Sequence, residues 1–195
     1  MSELKRIGHE ELKDQKSCIF GIQGSGKTYF IQNMCKHFKK PIVFQVNDDD
    51  NWTSVKGMTT YKANRNKLKE DFSEFIQYVR NRALKKEIDL IIIDEADLFF
   101  RSNYHIEENL NDLVLNHRHM GVALWFVTRR PQDIPTKIVE SSKFLIIFKL
   151  EGKNAIQRFY DIHPLTPVLI EALDYKKHDF VIKELGEEPI LHKPL

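Results

Sequence analysis

Gly21-Ile-Gln-Gly24-Ser25-Gly26-Lys27-Thr28 follows the pattern of a glycine, four residues and then Gly-Lys-Ser/Thr. Glycines let a loop turn its backbone N–H groups inward as a nest, with no Cβ in the way, and such a nest suits a run of phosphates. Lys27 adds a positive charge for the β- and γ-phosphates, and the Thr28 hydroxyl is a ligand for Mg²⁺. Tyr29 follows directly and is grouped with the nucleotide contacts. Ahead of the loop, Ser17–Phe20 reads as a short buried strand. Behind it, Phe30, Ile31, Met34, Cys35 and Phe38 recur at helical spacing. The loop therefore has the strand before it and the helix after it that the motif requires, and the helix aims its positive N-terminus at the phosphates.

The 195 residues suffice for one α/β domain with a sizeable core and fall short of two, so a single domain over 1–195 is expected, with residues 1–15 as a lead-in packed on its edge. A formal charge of +2, with 30% charged and 42% apolar residues, describes a soluble globular chain that demands no acidic partner. Cys18 and Cys35 fall inside the first strand and the first helix, as small buried residues of a reduced, intracellular protein do. There is no Cys-x-x-Cys pair, and the eight histidines never fall as His-x-x-x-His, which argues against zinc. No apolar run approaches membrane-spanning length, so neither signal peptide nor membrane anchor is expected.

A second strand is read at Ile42–Val46, followed after Asn47 by three consecutive carboxylates, Asp48 to Asp50, which could hold a metal but better suit a solvated turn or a helix cap. Residues 51–69 form the most basic connection, with Trp52 and Tyr61 among Lys56, Lys62, Arg65, Lys67 and Lys69. Such a loop can track a nucleic-acid backbone or serve as solvated surface. Leu68, Phe72, Phe75, Ile76, Val79 and Ala83 mark one face of a helix.

Leu90–Ile93 is an apolar run suited to a strand buried on both faces, and it terminates in Asp94-Glu95-Ala96-Asp97. A carboxylate at the C-terminal end of such a strand lies beside the crevice of a parallel sheet, where Asp94 holds the hydration shell of Mg²⁺. Glu95 points to the other side and is the candidate to polarise an attacking water. Ile106 to His117 is a helical stripe closed by Gly121, and Val122–Val127 is a further buried strand that delivers Thr128-Arg129-Arg130-Pro131 to the same edge. Lys137–Ser141, Ile156–Tyr160 and Val168–Leu173 suggest short helices, Phe144–Phe148 a fifth strand, and Phe180–Ile182 an antiparallel strand at an edge.

The expected fold class is thus a three-layer α/β P-loop NTPase with a mainly parallel central sheet. An extra strand stands between the phosphate-loop strand and the Asp-Glu strand. That order brings Thr128 near the γ-phosphate, to hold water or report hydrolysis, with Arg129 or Arg130 reading the product state. Arg118 is the first candidate for a cation acting across a subunit boundary, and Arg101 the second.

The phosphate loop, the strand ending in Asp94-Glu95-Ala-Asp97, and above all the block from Asn116-His-Arg118 through Gly121 and Thr128-Arg129-Arg130-Pro131 to Pro135 resemble the HerA/FtsK superfamily of DNA-pumping ATPases, particularly its small viral genome-packaging branch. Members carry a glutamine before the Arg-Pro pair, where this chain has Arg129. The resemblance implies ATP and Mg²⁺ as cofactors, a homo-oligomeric, hexameric ring, and double-stranded DNA as the translocated partner. It also implies a capsid or portal-type partner, and a location in the cytoplasm, that of a host or of a virion. Two other classes share the loop. A small nucleotide or metabolite kinase needs an arginine-bearing lid, and no segment stands out as one. A nucleotide-gated phage-assembly or DNA-binding protein is the other.

Overall fold

The computed structural model of the chain describes residues 8–47, 51–100 and 108–194. Asp48 to Asp50, Arg101 and Ile106 lie outside the described residues. A short helix α1 (His9–Leu12) leads into β1 (Lys16–Phe20), which ends at the phosphate loop, and α2 (Lys27–Cys35) follows. Next come β2 (Pro41–Gln45), β3 (Thr59–Lys62) and α3 (Leu68–Leu84). The strand β4 (Leu90–Ile93) carries the acids into α4 (Asp97–Phe100), and α5 (Glu108–Met120) returns the chain to β5 (Ala123–Thr128). The remainder is α6 (Thr136–Glu140), β6 (Phe144–Ile147), α7 (Lys153–Gln157), α8 (Leu165–Ala172), β7 (Phe180–Glu184) and β8 (Ile190–His192).

These strands form one sheet in the order β3-β2-β4-β5-β1-β6-β7-β8. All pairings from β3 to β6 are parallel, and β7 and β8 add on antiparallel. As the sequence predicts, β5 stands between β1 and β4. The reason is visible in its composition: every residue of β1, β4, β5 and β6 is buried. Only a strand covered on both faces and paired on both edges can hold such a run.

Alternation along each strand divides the core in two. Phe20, Phe44, Ile93, Phe126 and Ile147 face α3, α5 and α8, while Ile19, Val43, Ile92, Trp125 and Ile146 face α2. Phe44 anchors the first layer: its ring lies 5.4 Å from Phe72, 4.9 Å from Phe75 and 5.3 Å from Phe99, and Phe72 stacks on Phe99 at 4.1 Å. At about 0.5–1.5 kcal/mol per aromatic pair beyond area burial, this cluster fixes α3 and the start of α4 against β2.

The structure corrects the reading of 51–69. That connection holds the edge strand β3 and a 3-10 turn at Arg65–Lys67. As an edge, β3 is covered by little more than Tyr61, which stacks on Phe44 at 5.7 Å, so it carries no alternating apolar signal. Trp52, read as a neighbour of the basic surface, is 2% exposed and packs in the core layer beneath α2, so it offers no stacking platform. The strand β8 and the helix α4, three and four residues long, are also additions to the sequence reading. No helix among the described residues is long and apolar enough to cross a membrane.

Candidate functional site

Parallel register brings the ends of β1, β4, β5 and β6 to one edge. Phe20 pairs with Thr128 across β1 and β5, and the Gly21 N–H donates to the Thr128 carbonyl at 3.2 Å. On the other side the Ile22 N–H donates to the Lys149 carbonyl at 2.9 Å. The phosphate loop is therefore stitched to both neighbouring strands before it turns into α2.

Its glycines are required by space as much as by torsion. A Cβ on Gly21 would come within 2.6 Å of Ser25 Oγ and 2.7 Å of Phe148 Cβ, and Gly26 has φ +107°. Both are closed to L side chains. Phe148 forms the floor, with Phe30 at 6.0 Å and Phe180 at 5.0 Å. Ser25 Oγ is buried and has no hydrogen-bond partner among the described residues. An orphaned buried hydroxyl in a glycine loop, beside the buried Lys27, fits an oxygen-rich anion such as a triphosphate.

Lys27 lies at the start of α2 with its Nζ donating to the Gly21 carbonyl at 2.6 Å and the Ile22 carbonyl at 2.9 Å. Burial, and next the charge of Arg129, lower its pKa to about 8, against the opposing pull of Glu95, Asp94 and Asp97. Thr28 is half-buried beside it, and Tyr29 is exposed.

At the end of β4, the Asp94 N–H donates to the Phe44 carbonyl at 3.1 Å, and Asp94 Oδ1 accepts the Glu95 N–H at 2.9 Å. Glu95 has φ +50°, a conformation costing a non-glycine residue on the order of 1 kcal/mol. Its carboxylate is held from two sides. Arg129 Nη2 donates to Oε1 at 2.7 Å and Asn47 Nδ2 donates to the same oxygen at 3.3 Å. Arg129 also reaches back to the phosphate loop, donating through Nη1 to Gln23 Oε1 at 3.2 Å. Arg65, from the basic connection, donates to Asn47 Oδ1 at 3.2 Å. A line of side chains thus runs from the basic segment through Asn47 and Glu95 to Arg129 and the loop.

Thr128 is placed differently from a residue facing a nucleotide. Its hydroxyl is buried, donates to Asp97 Oδ1 at 2.7 Å and accepts the Arg130 N–H at 2.9 Å. It braces the turn that presents Arg129, and of these two residues only Arg129 reaches Glu95 and Gln23 with its side chain. Arg130 pairs with Asp133 at 3.9 Å. Arg118 lies at the C-terminus of α5, exposed, where the chain turns through Gly121 (φ +71°) into the start of β5. That is the edge of the sheet opposite the phosphate loop, so Arg118 is no part of the site within one chain.

Gln23 and Asn47 are functional candidates that the motifs alone did not single out, and Arg65, read only as part of the basic connection, joins them through Asn47. The signal for Asn47 was its place just after β2, but its meaning depends on β2 lying next to β4, which only the strand order supplies. Among the described residues no group of three His, Cys, Asp or Glu is arranged to hold a metal. Thr28 and Asp94 fit the other arrangement, in which Mg²⁺ keeps several waters and takes most of its remaining ligands from phosphate oxygens.

A glycine cradle with a buried lysine at the end of one strand, and an acid pair at the end of a strand two places away, define a P-loop nucleoside triphosphatase. More particularly, the chain belongs to the AAA domain family, whose model matches residues 13–132, more than half of its length. The matched region runs from the end of α1 through the phosphate loop and the acids to the turn after Arg130. No curated protein sequence matches the chain.

Several solved structures share the fold. B204, the DNA-packaging ATPase from Sulfolobus Turreted Icosahedral Virus, superposes with a TM-score of 0.82 at 19% identity, over 94% of this chain and 99% of that one. The genome packaging NTPase B204 from Sulfolobus turreted icosahedral virus 2, in complex with ATP-gammaS, gives 0.76 at 19% identity over 93% and 98%. EssC (ATPases 2 and 3) from Geobacillus thermodenitrificans gives 0.64 at 14% identity, over 94% of this chain and 40% of that one. At these identities the likeness is one of fold.

Proposed function

We propose that this chain is a Mg²⁺-dependent ATPase motor that moves double-stranded DNA, of the kind that packages viral genomes. The observation that carries the reading is the convergence of the buried Lys27, the loop residue Gln23, Arg129 and Glu95 on one sheet edge. The similarity in fold to B204 over nearly the whole of both chains supports the packaging assignment.

In this reading the loop N–H groups and Lys27 Nζ take the phosphates, Lys27 exchanging its two carbonyl partners for phosphate oxygens. Thr28 and Asp94 would hold Mg²⁺, which would supply positive charge against the β- and γ-phosphates. Glu95 orients a water against the γ-phosphorus and takes its proton as the new O–P bond forms. The bond to the bridging oxygen breaks, leaving ADP and phosphate. For that, Glu95 must first leave Arg129 and Asn47. Arg129 is the group best placed to report the phosphate state, since it bridges the loop and the acid. The link from Asn47 to Arg65 gives the basic segment Lys62–Lys69 a route to the same carboxylate. DNA phosphates that draw Arg65 away would loosen Asn47 and free Glu95, coupling DNA contact to turnover.

A ring of identical subunits, a hexamer, completes the reading: Arg118 or Arg101 then acts in the site of a neighbouring subunit, stabilising transition-state charge. Capsid or portal-type partners and a cytoplasmic or virion location belong to the same proposal. The test is phosphate release with and without double-stranded DNA. A motor is stimulated by DNA, a kinase responds only to its acceptor, and a nucleotide-gated assembly protein responds to neither. A rate that DNA leaves unchanged would overturn the motor assignment.

A further inference from the structure

Strand order gives the bound nucleotide a direction. Glu95 and Arg129 sit beyond the loop on the β4 and β5 side, which marks the terminal phosphate end. Across the loop, on the β6 and β7 side, the turn between α8 and β7 leans over the glycines. A Cβ on Gly24 would come within 3.0 Å of the Tyr175 hydroxyl, and one on Gly26 within 3.2 Å of His178 Cβ. This turn is well built: Asp174 Oδ1 accepts the Lys176 N–H at 3.0 Å, the Lys177 N–H donates to the Asp174 carbonyl at 3.1 Å, and His178 has φ +53°. Yet the turn leaves its aromatic ring exposed. Tyr175 is 45% exposed, and Tyr29, in the first turn of α2 on the same side, is 58% exposed. Lys176 and Lys177 stand exposed next to Tyr175.

Resting on the triphosphate reading above, we propose that Tyr175 is the stacking platform for the nucleobase, with Tyr29 bounding the opposite side of the base. An aromatic face is sequence-tolerant towards bases and favours a large π-surface, and Lys176 beside it adds attraction for the nucleotide's charge, while Lys177 pairs with Asp174 at 3.4 Å. The turn connects α8 to β7, well outside the phosphate loop and acid motifs.

The experiment compares two ligands by calorimetry: ATP-gammaS, and inorganic tripolyphosphate, which has the phosphates but no base. Tyr175→Ala should weaken ATP-gammaS by about 5- to 100-fold while leaving tripolyphosphate within about twofold, and Tyr175→Phe should restore ATP-gammaS binding. Tyr29→Ala should act in the same direction as Tyr175→Ala. Unchanged ATP-gammaS affinity in Tyr175→Ala would overturn the proposal. So would equal loss of both ligands, which would mean that the tyrosine shapes the loop and not the base site. Lys27→Ala should lose both ligands. A wild-type chain that binds neither would remove the triphosphate reading itself, and the base platform with it.

Discussion

Raising the pH should weaken nucleotide binding through Lys27, and by an amount that follows from its surroundings. Its ammonium is buried against the Gly21 and Ile22 carbonyls, and burial with the Arg129 charge lowers its pKa from 10.5 to about 8. A bound triphosphate supplies several negative charges and favours the protonated form, so above pH 8 binding must take up a proton. At pH 7 Lys27 is about nine-tenths charged and affinity is near its plateau. At pH 9 only about one-tenth is charged, which weakens binding about tenfold, or about 1.4 kcal/mol, with a further tenfold per pH unit beyond. Calorimetric titration with ATP-gammaS at constant ionic strength, in buffers of different ionisation enthalpy, reads both affinity and proton uptake. Arg129→Gln removes the second cause of the shift and should move the break to higher pH. A flat affinity from pH 7.5 to 9.5 with no proton uptake would refute the reasoning.

Gly21→Ala should abolish nucleotide binding in a chain that still folds, because the added Cβ meets Ser25 and Phe148 at under 3 Å; wild-type affinity by calorimetry would contradict that geometry. Thr128→Val removes the hydroxyl that donates to the buried Asp97, and should cost about 1–3 kcal/mol in denaturant unfolding. Phe148→Ala, which empties the floor between Phe30 and Phe180, should cost about 3–5 kcal/mol and weaken nucleotide binding as well. Cys18 and Cys35 are fully buried, and burial pushes the Cys18 thiol up to about 12, with Cys35 raised in the same direction. Neither should react with a thiol reagent at pH 8 except at the rate of unfolding, as followed by labelling across a denaturant series.

The central sheet was legible because its strands are apolar on both faces: Leu90–Ile93 and Val122–Val127 admit few other uses, and their order follows from the phosphate-loop class. The edges were not. β3 keeps only Tyr61 against the core, and β8 is three residues long, so neither carries a periodic signal strong enough to read. Trp52 looked like surface because its neighbours in sequence are polar. It is buried because the chain after β2 folds beneath α2, a fact of topology. The same distinction runs through the site. The cradle and the acids are local motifs, each within one turn and its strand, and could be read directly. The contacts of Glu95 with Arg129 and Asn47, and of Asn47 with Arg65, join four segments and exist only once β2, β4 and β5 lie side by side. Thr128 illustrates the limit: its position at the strand end was evident, but the partner of its hydroxyl, Asp97, was not.

The most direct measurement of the central claim is phosphate release by Glu95→Gln beside the wild type, each with and without double-stranded DNA, together with ATP-gammaS affinity. The account predicts that wild-type turnover rises with DNA, and that Glu95→Gln binds nucleotide as well as the wild type but releases phosphate at least about 100-fold more slowly in both conditions. Turnover in Glu95→Gln close to that of the wild type would contradict it, because the water would then be activated by some other group.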